Sequence, residues 1–262
     1  MKLFLNAVGL RGPGLDGWEA SALILAGKVP YLAAPTAIPP ATLLPPNERR
    51  RAPQTVRLAL AVGAEAFASA RLAPADCAAV FASSGGDGET IHDILATLAG
   101  PLRELSPTRF HNSVHNVAAG YWSIATGAKT PATSLCAHDG SFAGGLLEAG
   151  AQALAAEGMV ALIAYDLPYP EPLASVRHIG AAFGVALLLS AVSSTQSLAR
   201  LEIELCAPDS YACTRPELEM LRRNIPAARV LPLLEALARG EEAAVELDYF
   251  DDLALAVRVT PL

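Results

Sequence analysis

A layered α/β fold is the architecture this chain predicts, on three observations. Strand-like and helix-like segments alternate along most of its 262 residues. The strand-like segments are continuous apolar runs, the pattern of strands buried on both faces. The helix-like segments are spaced in Ala, Leu and Gly in a way that suits close packing against a sheet. The expected sheet is mixed but mostly parallel, with helices on both faces. A composition of 52% hydrophobic and 6% aromatic residues fits a core built mainly of Ala, Leu and Val.

Lys2 to Leu10 reads as a buried strand; Asn6 interrupts its apolar run and Arg11 closes it, so it is too short for a secretory leader. Val29 to Pro46, rich in Pro and Ala, is expected to be a stiff surface loop. Gln54 to Ala70 has helical composition, Asp76 to Ala82 is a short apolar strand, and Ser83 to Gly88 is a turn that opens a helix from Glu89 to Leu98. Beyond Pro107 the pattern gives a helix from about Asn112 to Thr126, a strand over Ala132 to Ala137, a helix over Phe142 to Leu154 and a strand over Met159 to Tyr165. Ile179 to Ala191 and Leu201 to Cys206 look like a strand pair. Arg215 to Ala238 is helical with interruptions at Pro226 and Pro232, and Ala243 to Asp248 and Leu253 to Thr260 are strands that finish the chain. No linker composition appears, so a single domain over 1–262 is expected, with a core over 1–206 and an extension over 207–262.

Several function classes are excluded early. A net charge of -7 argues against sequence-general nucleic-acid binding, and the one basic run, Arg49-Arg50-Arg51, reads as a solvated helix approach. Cys77, Cys136, Cys206 and Cys213 form no CxxC pair and have no histidine at metal spacing, which predicts no metal site and reduced thiols in a cytoplasmic protein. No stretch approaches the roughly 20 apolar residues a membrane span requires. The Gly85-Gly86-Asp87-Gly88 turn lacks both GxGxxG and a GK[ST] ending, so no nucleotide cofactor is implied; it reads as an ordinary turn with Ser84 at the helix start.

The polar elbow Cys136-Ala137-His138-Asp139-Gly140 stands between an apolar strand and a small-residue helix. A strand, a sharp turn and a helix N-terminus aim a side chain at unpaired backbone N–H groups, which can lower a thiol pKa or hold an oxyanion. His111, His115 and His138 with Asp139 invite a triad reading, but no GxSxG elbow is present. Asn112 to Asn116 resembles a helix start, which gives His111 and His115 surface, capping or interface roles. Asp139 itself also reads as an N-cap carboxylate.

Taken together, these residues resemble the N-terminal half of the β-ketoacyl synthases of the thiolase superfamily. The run Pro107-Thr108-Arg109-Phe110-His111-Asn112-Ser113-Val114-His115-Asn116-Val117-Ala118-Ala119-Gly120 is similar to the family's P-x-x-x-x-x-S-x-x-N-x-x-A-G. Gly127 to Pro131 then matches G-x-x-G-P in length, with a lysine-threonine pair before the proline, and Ile179 to Leu189 matches the G-x-G-A-x-x-x-L-x-L strand. The likeness covers about residues 50 to 191. Eight residues after Pro131, where the family places its nucleophilic cysteine, stands Asp139; Cys136 falls three residues early. The family's H-G-T-G-T and N-S-F-G-type motifs do not occur, and no histidine follows His178.

The resemblance implies a thiolase-like half-fold with a shortened C-terminal region, lacking the nucleophile and both catalytic histidines. Among family members that pattern is similar to the chain-length factors, and in this short form to the stand-alone chain-length-factor-like proteins of aryl polyene and related type II polyketide systems. It implies a non-catalytic subunit of fatty-acid or polyketide-type biosynthesis that pairs with an active ketosynthase and shapes its acyl tunnel. His111, Asn112, His115, Asn116, Tyr121, Trp122 and Cys136 become candidates for interface or tunnel-lining roles. Two alternatives stay open: an enzyme of altered chemistry on acyl thioesters using Asp139 and His138, and a structural homodimer that binds acyl carrier protein.

Overall fold

A computed structural model describes residues 1–101, 103–209 and 211–262. The chain runs β1 (Lys2–Gly12), β2 (Leu15–Asp16), α1 (Trp18–Leu25), α2 (Pro46–Arg51), α3 (Gln54–Ala70), β3 (Ala78–Ala82), α4 (Gly88–Ala99), α5 (Pro107–Asn112), α6 (Val117–Thr126), β4 (Ala132–Leu135), α7 (Ser141–Ala156), β5 (Met159–Asp166), α8 (Leu173–Val176), β6 (Phe183–Ser190), β7 (Ala199–Cys206), α9 (Pro216–Asn224), α10 (Leu231–Arg239), β8 (Ala243–Phe250) and β9 (Leu253–Pro261). A 3-10 segment, Pro226–Val230, joins α9 to α10.

The strands form one sheet in the order β4-β3-β5-β6-β1-β7-β9-β8, with β2 paired to β1. Among the described strands parallel pairing is confined to β3 with β4 and β5; the other strand pairs are antiparallel. The sheet is mixed, as expected, but the balance between the two pairings is reversed. Continuous apolar runs report burial on both faces, and an antiparallel strand between two helix layers is buried in the same way as a parallel one. For the same reason β6 and β7 are not a pair: β1 lies between them, bonded to both.

Successive residues of the central strands serve opposite faces, as the pleat requires. Ala79, Phe81, Ile163 and Leu188 face α3 and α6, packing with Val56, Val62, Phe67 and Trp122. Val80, Leu162 and Leu187 face α7, where Phe142, Leu146 and Ala149 meet them. Leu231, Leu234, Val245 and Leu255 join that second cluster, so the segment beyond residue 206 shares its core with the strands before it. The interruption at Asn6 also has a cause. Register shifts between Leu5 and Ala7, and the Asn6 amide, buried at this bulge, donates to Ser190 Oγ at 2.9 Å while its oxygen accepts from Ser197 Oγ at 2.8 Å.

Three local expectations change. The helix read from about Asn112 to Thr126 starts only at Val117, as α6, while Asn112 ends the separate helix α5, because the Asn112 side chain turns away to donate to Arg51 O at 2.9 Å and Ser113 Oγ closes back on Phe110 O. The arginine triplet is not wholly solvated: Arg49 Nη2 donates to Thr42 O and Leu44 O, each at 2.9 Å, and so ties down the proline-rich loop. Pro232 does not break a helix but sits in the first turn of α10, where its missing N–H costs nothing. Among the described residues no helix is long and apolar enough to cross a membrane.

Candidate functional site

The parallel strands β3, β4 and β5 end on the same side of the sheet, where ligands of open α/β sheets gather. Three connections meet there: Ser83 to Gly88 after β3, Cys136 to Gly140 after β4, and the segment after Asp166. Ser83 N donates to Leu135 O at 3.3 Å, and Cys136 Sγ to Ser84 O at 3.1 Å, so the first two lie side by side.

The elbow is sharp because His138 adopts a left-handed conformation, φ 50°, uncommon for a residue with a Cβ. Ser141 Oγ secures it by donating to His138 O at 2.6 Å and accepting from Ala137 N at 3.0 Å. The N-cap of α7 is Gly140, without a side-chain cap bond, so the N-cap reading of Asp139 is corrected. Its carboxylate turns to two cations: Oδ1 accepts from Arg177 Nη2 at 2.5 Å, and Oδ2 lies 3.4 Å from Arg229 Nη2. His138 Nδ1 stands 3.7 Å from Oδ1. Partial burial pushes the Asp139 carboxyl upward, but the Arg177 hydrogen bond and the Arg177, Arg229 and His138 charges outweigh it and hold the group below the usual carboxylate range. In Arg177→Ala the Asp139 carboxyl should move back up, which a carboxyl carbon NMR titration reads; an unmoved titration would mean the pair does not form in solution.

A depression of about 1020 Å³ opens at Asp139, bordered by Arg222, Arg229, Asp248 and Tyr249. The tip of the β8–β9 hairpin leans on the elbow, and a Cβ at Gly140 would collide with Tyr249 O. Arg222 is buried and fully committed, donating to both Glu219 oxygens, to Asp248 and to Tyr211 O. Glu219 is accordingly pushed down to about 2, chiefly by its Arg222 hydrogen bonds. Sequence reasoning missed Arg177, Arg229 and Tyr249. They come from the connection after β5 and from the C-terminal region, far from the elbow in sequence, and only an arginine inside the otherwise apolar run Pro226 to Leu234 hinted at one of them.

The glycine turn is structural. Asp87, not Ser84, caps α4: its Oδ1 accepts from Thr90 N at 2.9 Å and its Oδ2 from Thr55 Oγ1 at 2.8 Å. The Tyr169 ring occupies the space that side chains at Gly85 and Gly88 would need. Ser84 N and Oγ both donate to Asp166 Oδ1, at 2.8 and 2.7 Å, and Ala227 N donates to Asp166 Oδ2 at 2.8 Å. Asp166 is 2% exposed, and burial pushes its carboxyl up to about 6 against those hydrogen bonds.

The interface candidates divide. His111, His115, Asn116 and Cys136 are exposed; His111 lines a shallow cleft with Arg51, Pro107 and Ile124. Tyr121 and Trp122, at 1% and 2% exposed, present no surface. Trp122 packs on Phe67 and Phe81 with ring centroids 5.7 and 6.3 Å away, and Tyr121 donates to the buried Asn112 at 3.2 Å. Asn112, Tyr121 and Trp122 therefore sit in the core behind the exposed face of this chain: large rings on an otherwise small-residue helix are what the inner side of that helix buries.

A mixed sheet between two helix layers, with a sharp strand-to-helix elbow at the ends of its parallel strands, defines a thiolase-type α/β protein. More closely, the chain belongs to the β-ketoacyl synthase N-terminal domain family, whose sequence profile matches residues 26–244. Among solved structures it is similar to a chain of the ketosynthase ApeO in complex with its chain length factor ApeC from Xenorhabdus doucetiae, with 24% identity, 98% of this chain and 99% of that chain covered and a TM-score of 0.74. It is similar to a chain of the ishigamide ketosynthase/chain length factor at 14% identity, with both chains covered in full and a TM-score of 0.73. A β-ketoacyl synthase from Burkholderia phymatum STM815 is similar at 10% identity, over 100% of this chain and 99% of that one, with a TM-score of 0.71. At these identities the structures establish the shared fold. No protein of curated function matches the sequence.

Proposed function

We propose that this chain is a non-catalytic, chain-length-factor-like subunit that pairs with an active ketosynthase and shapes its acyl tunnel. The observation that carries the reading is the elbow, where a carboxylate clamped by Arg177 and Arg229 stands in place of a thiolate. A carboxylate is a poor acyl acceptor, and one held ionised below its usual range is a poor proton donor near neutral pH, so the acid/base alternative through Asp139 and His138 loses support. Cys136 does not substitute, because it stands three residues before Asp139 and its thiol donates to Ser84 O in the neighbouring turn.

Support for a partner comes from the far edge of the sheet. Among the described residues β4 pairs only with β3, which leaves one side of its backbone unmatched, a template for another chain. The segment from α4 to α6 exposes Leu95 (60%), Phe110 (66%), Val114 (48%) and Ile124 (48%), apolar side chains of the kind that mark an interaction site. Two of the similar solved structures hold a ketosynthase with its chain length factor. On this reading His111, His115 and Asn116 meet the partner, while Asn112, Tyr121 and Trp122 set the shape of the wall from behind. The chain works in a cytoplasmic fatty-acid or polyketide-type system such as aryl polyene assembly.

Co-expression with a type II ketosynthase, followed by native mass measurement, should give a one-to-one heterodimer that condenses acyl thioesters. A chain that stays solitary, or pairs only with itself and binds carrier protein, overturns the proposal. Turnover by the chain alone, lost in Asp139→Asn, would establish the enzyme alternative instead.

A further inference from the structure

On the helix layer away from the elbow, the proline-rich loop folds over α3 and leaves a cleft of about 240 Å³ between Pro39, Pro40 and Leu43 on one wall and Leu60 and Ala61 on the other, with Arg57 in its lining. The walls are fixed. Ala41 and Leu44 are buried anchors, Arg49 holds the carbonyls of Thr42 and Leu44, and Thr36 Oγ1 donates to Ala182 O at 2.5 Å. The cleft is therefore preformed, which lowers the ordering cost of any occupant.

Its charge is unbalanced at one point. Arg11, also in the lining, is matched by Glu65 at 2.5 Å and Asp16 at 3.1 Å. Arg57 has no carboxylate within ion-pair distance among the described residues, and its Nε is buried without a hydrogen-bond acceptor. A buried donor left unmade is costly, and a guanidinium fork is built to receive a planar carboxylate in two parallel bonds. Apolar walls beyond that fork favour an aliphatic tail. At roughly 30 Å³ per water-sized unit, the space suits about eight such units, the size of a six-carbon acid.

We infer that this cleft is a binding site for a short-chain aliphatic carboxylate, with Arg57 receiving the head group and the Leu43–Leu60–Ala61 walls the tail. The site stands apart from the elbow and from the β4 edge, and does not depend on the chain having a partner.

Calorimetric titration of the purified chain with hexanoate should show saturable binding with a Kd of about 1 mM or tighter. Acetate, which lacks the tail, and hexan-1-ol, which lacks the charge, should each bind at least about tenfold more weakly. Arg57→Met should weaken hexanoate by about tenfold or more at an unchanged melting temperature. Ala61→Phe, which fills the floor and leaves the arginine in place, provides an independent loss of the same size. Absence of saturable heat, equal affinity for hexanol, or unchanged hexanoate binding in both variants overturns the assignment.

Discussion

Asp166→Ala should lower the stability of the chain by about 2 to 6 kcal/mol, read as a fall in the denaturant midpoint without a change in slope. The estimate rests on two buried N–H groups, Ser84 N and Ala227 N, that would lose their only recorded acceptor, at roughly 1–3 kcal/mol each. No water can replace the carboxylate at small cost, because the site is enclosed: Ser83, Ser84 and Asp166 are all nearly inaccessible. The bonds run from the end of β5 to the turn after β3 and to the 3-10 segment at Pro226, so the residue fastens the C-terminal region to the parallel strands. Asp166→Asn should cost less, since its amide oxygen keeps the Ser84 bonds and only the Ala227 contact is set donor against donor. A loss below about 1 kcal/mol in the alanine variant would show that the three segments are held by packing alone.

The same group gives a pH dependence of definite sign. Its folded carboxyl is raised to about 6, so between about pH 4 and 6 the folded state binds the proton more readily than the unfolded one. Stability therefore falls as pH rises through that window, and the slope should flatten in Asp166→Asn. Glu235, also raised by burial, adds the same sign. Asp139 and Glu219 act in the opposite sense and in a lower window: their carboxyls are depressed, so their contribution is present above about pH 4 and is lost on further acidification.

Elements held by local pattern were legible from the sequence. α3 begins and ends where its composition says, and β5 and β9 agree within a residue or two, because a long apolar period or a continuous apolar run leaves few alternatives. The pairing of strands was not legible. Nothing in the run Ile179 to Ala191 reveals that β1, from the other end of the chain, inserts between it and β7. The site divides along the same line. Strand, elbow and helix are contiguous and could be read, including the absence of cysteine at Asp139. The two arginines that fix what Asp139 does come from 38 and 90 residues further on, since 177 − 139 = 38 and 229 − 139 = 90. Burial decided the rest: Trp122 and His111 lie close together in sequence, and only the fold separates the ring that fills the core from the one that faces outward.

If the chain pairs with a ketosynthase as proposed, Gly120→Phe should weaken that pairing while leaving the chain itself folded. Gly120 lies within α6, where glycine costs about 0.5–1 kcal/mol relative to alanine, and nothing in the chain lies within 4 Å of where its Cβ would be. The fold itself therefore gives no reason for the residue, whereas a partner backbone packed against the exposed side of α6 does. Asn116, Ser123 and Gly127, exposed at spacings of three to four residues from it and from one another, continue the same small-residue side, and Ile124 stands beside them. A phenylalanine there fills open solvent in the isolated chain and improves helix propensity, so its melting temperature should hold or rise. In the proposed complex the same ring has nowhere to go, and overfilling a packed contact by that volume, at roughly 1–3 kcal/mol or more, should weaken association by about tenfold to a hundredfold. Gly120→Ala should fall between the two. If Gly120→Phe pairs as the natural chain does, the partner lies elsewhere and the α6 face is not the docking surface; if it unfolds the isolated chain, the glycine serves this fold after all.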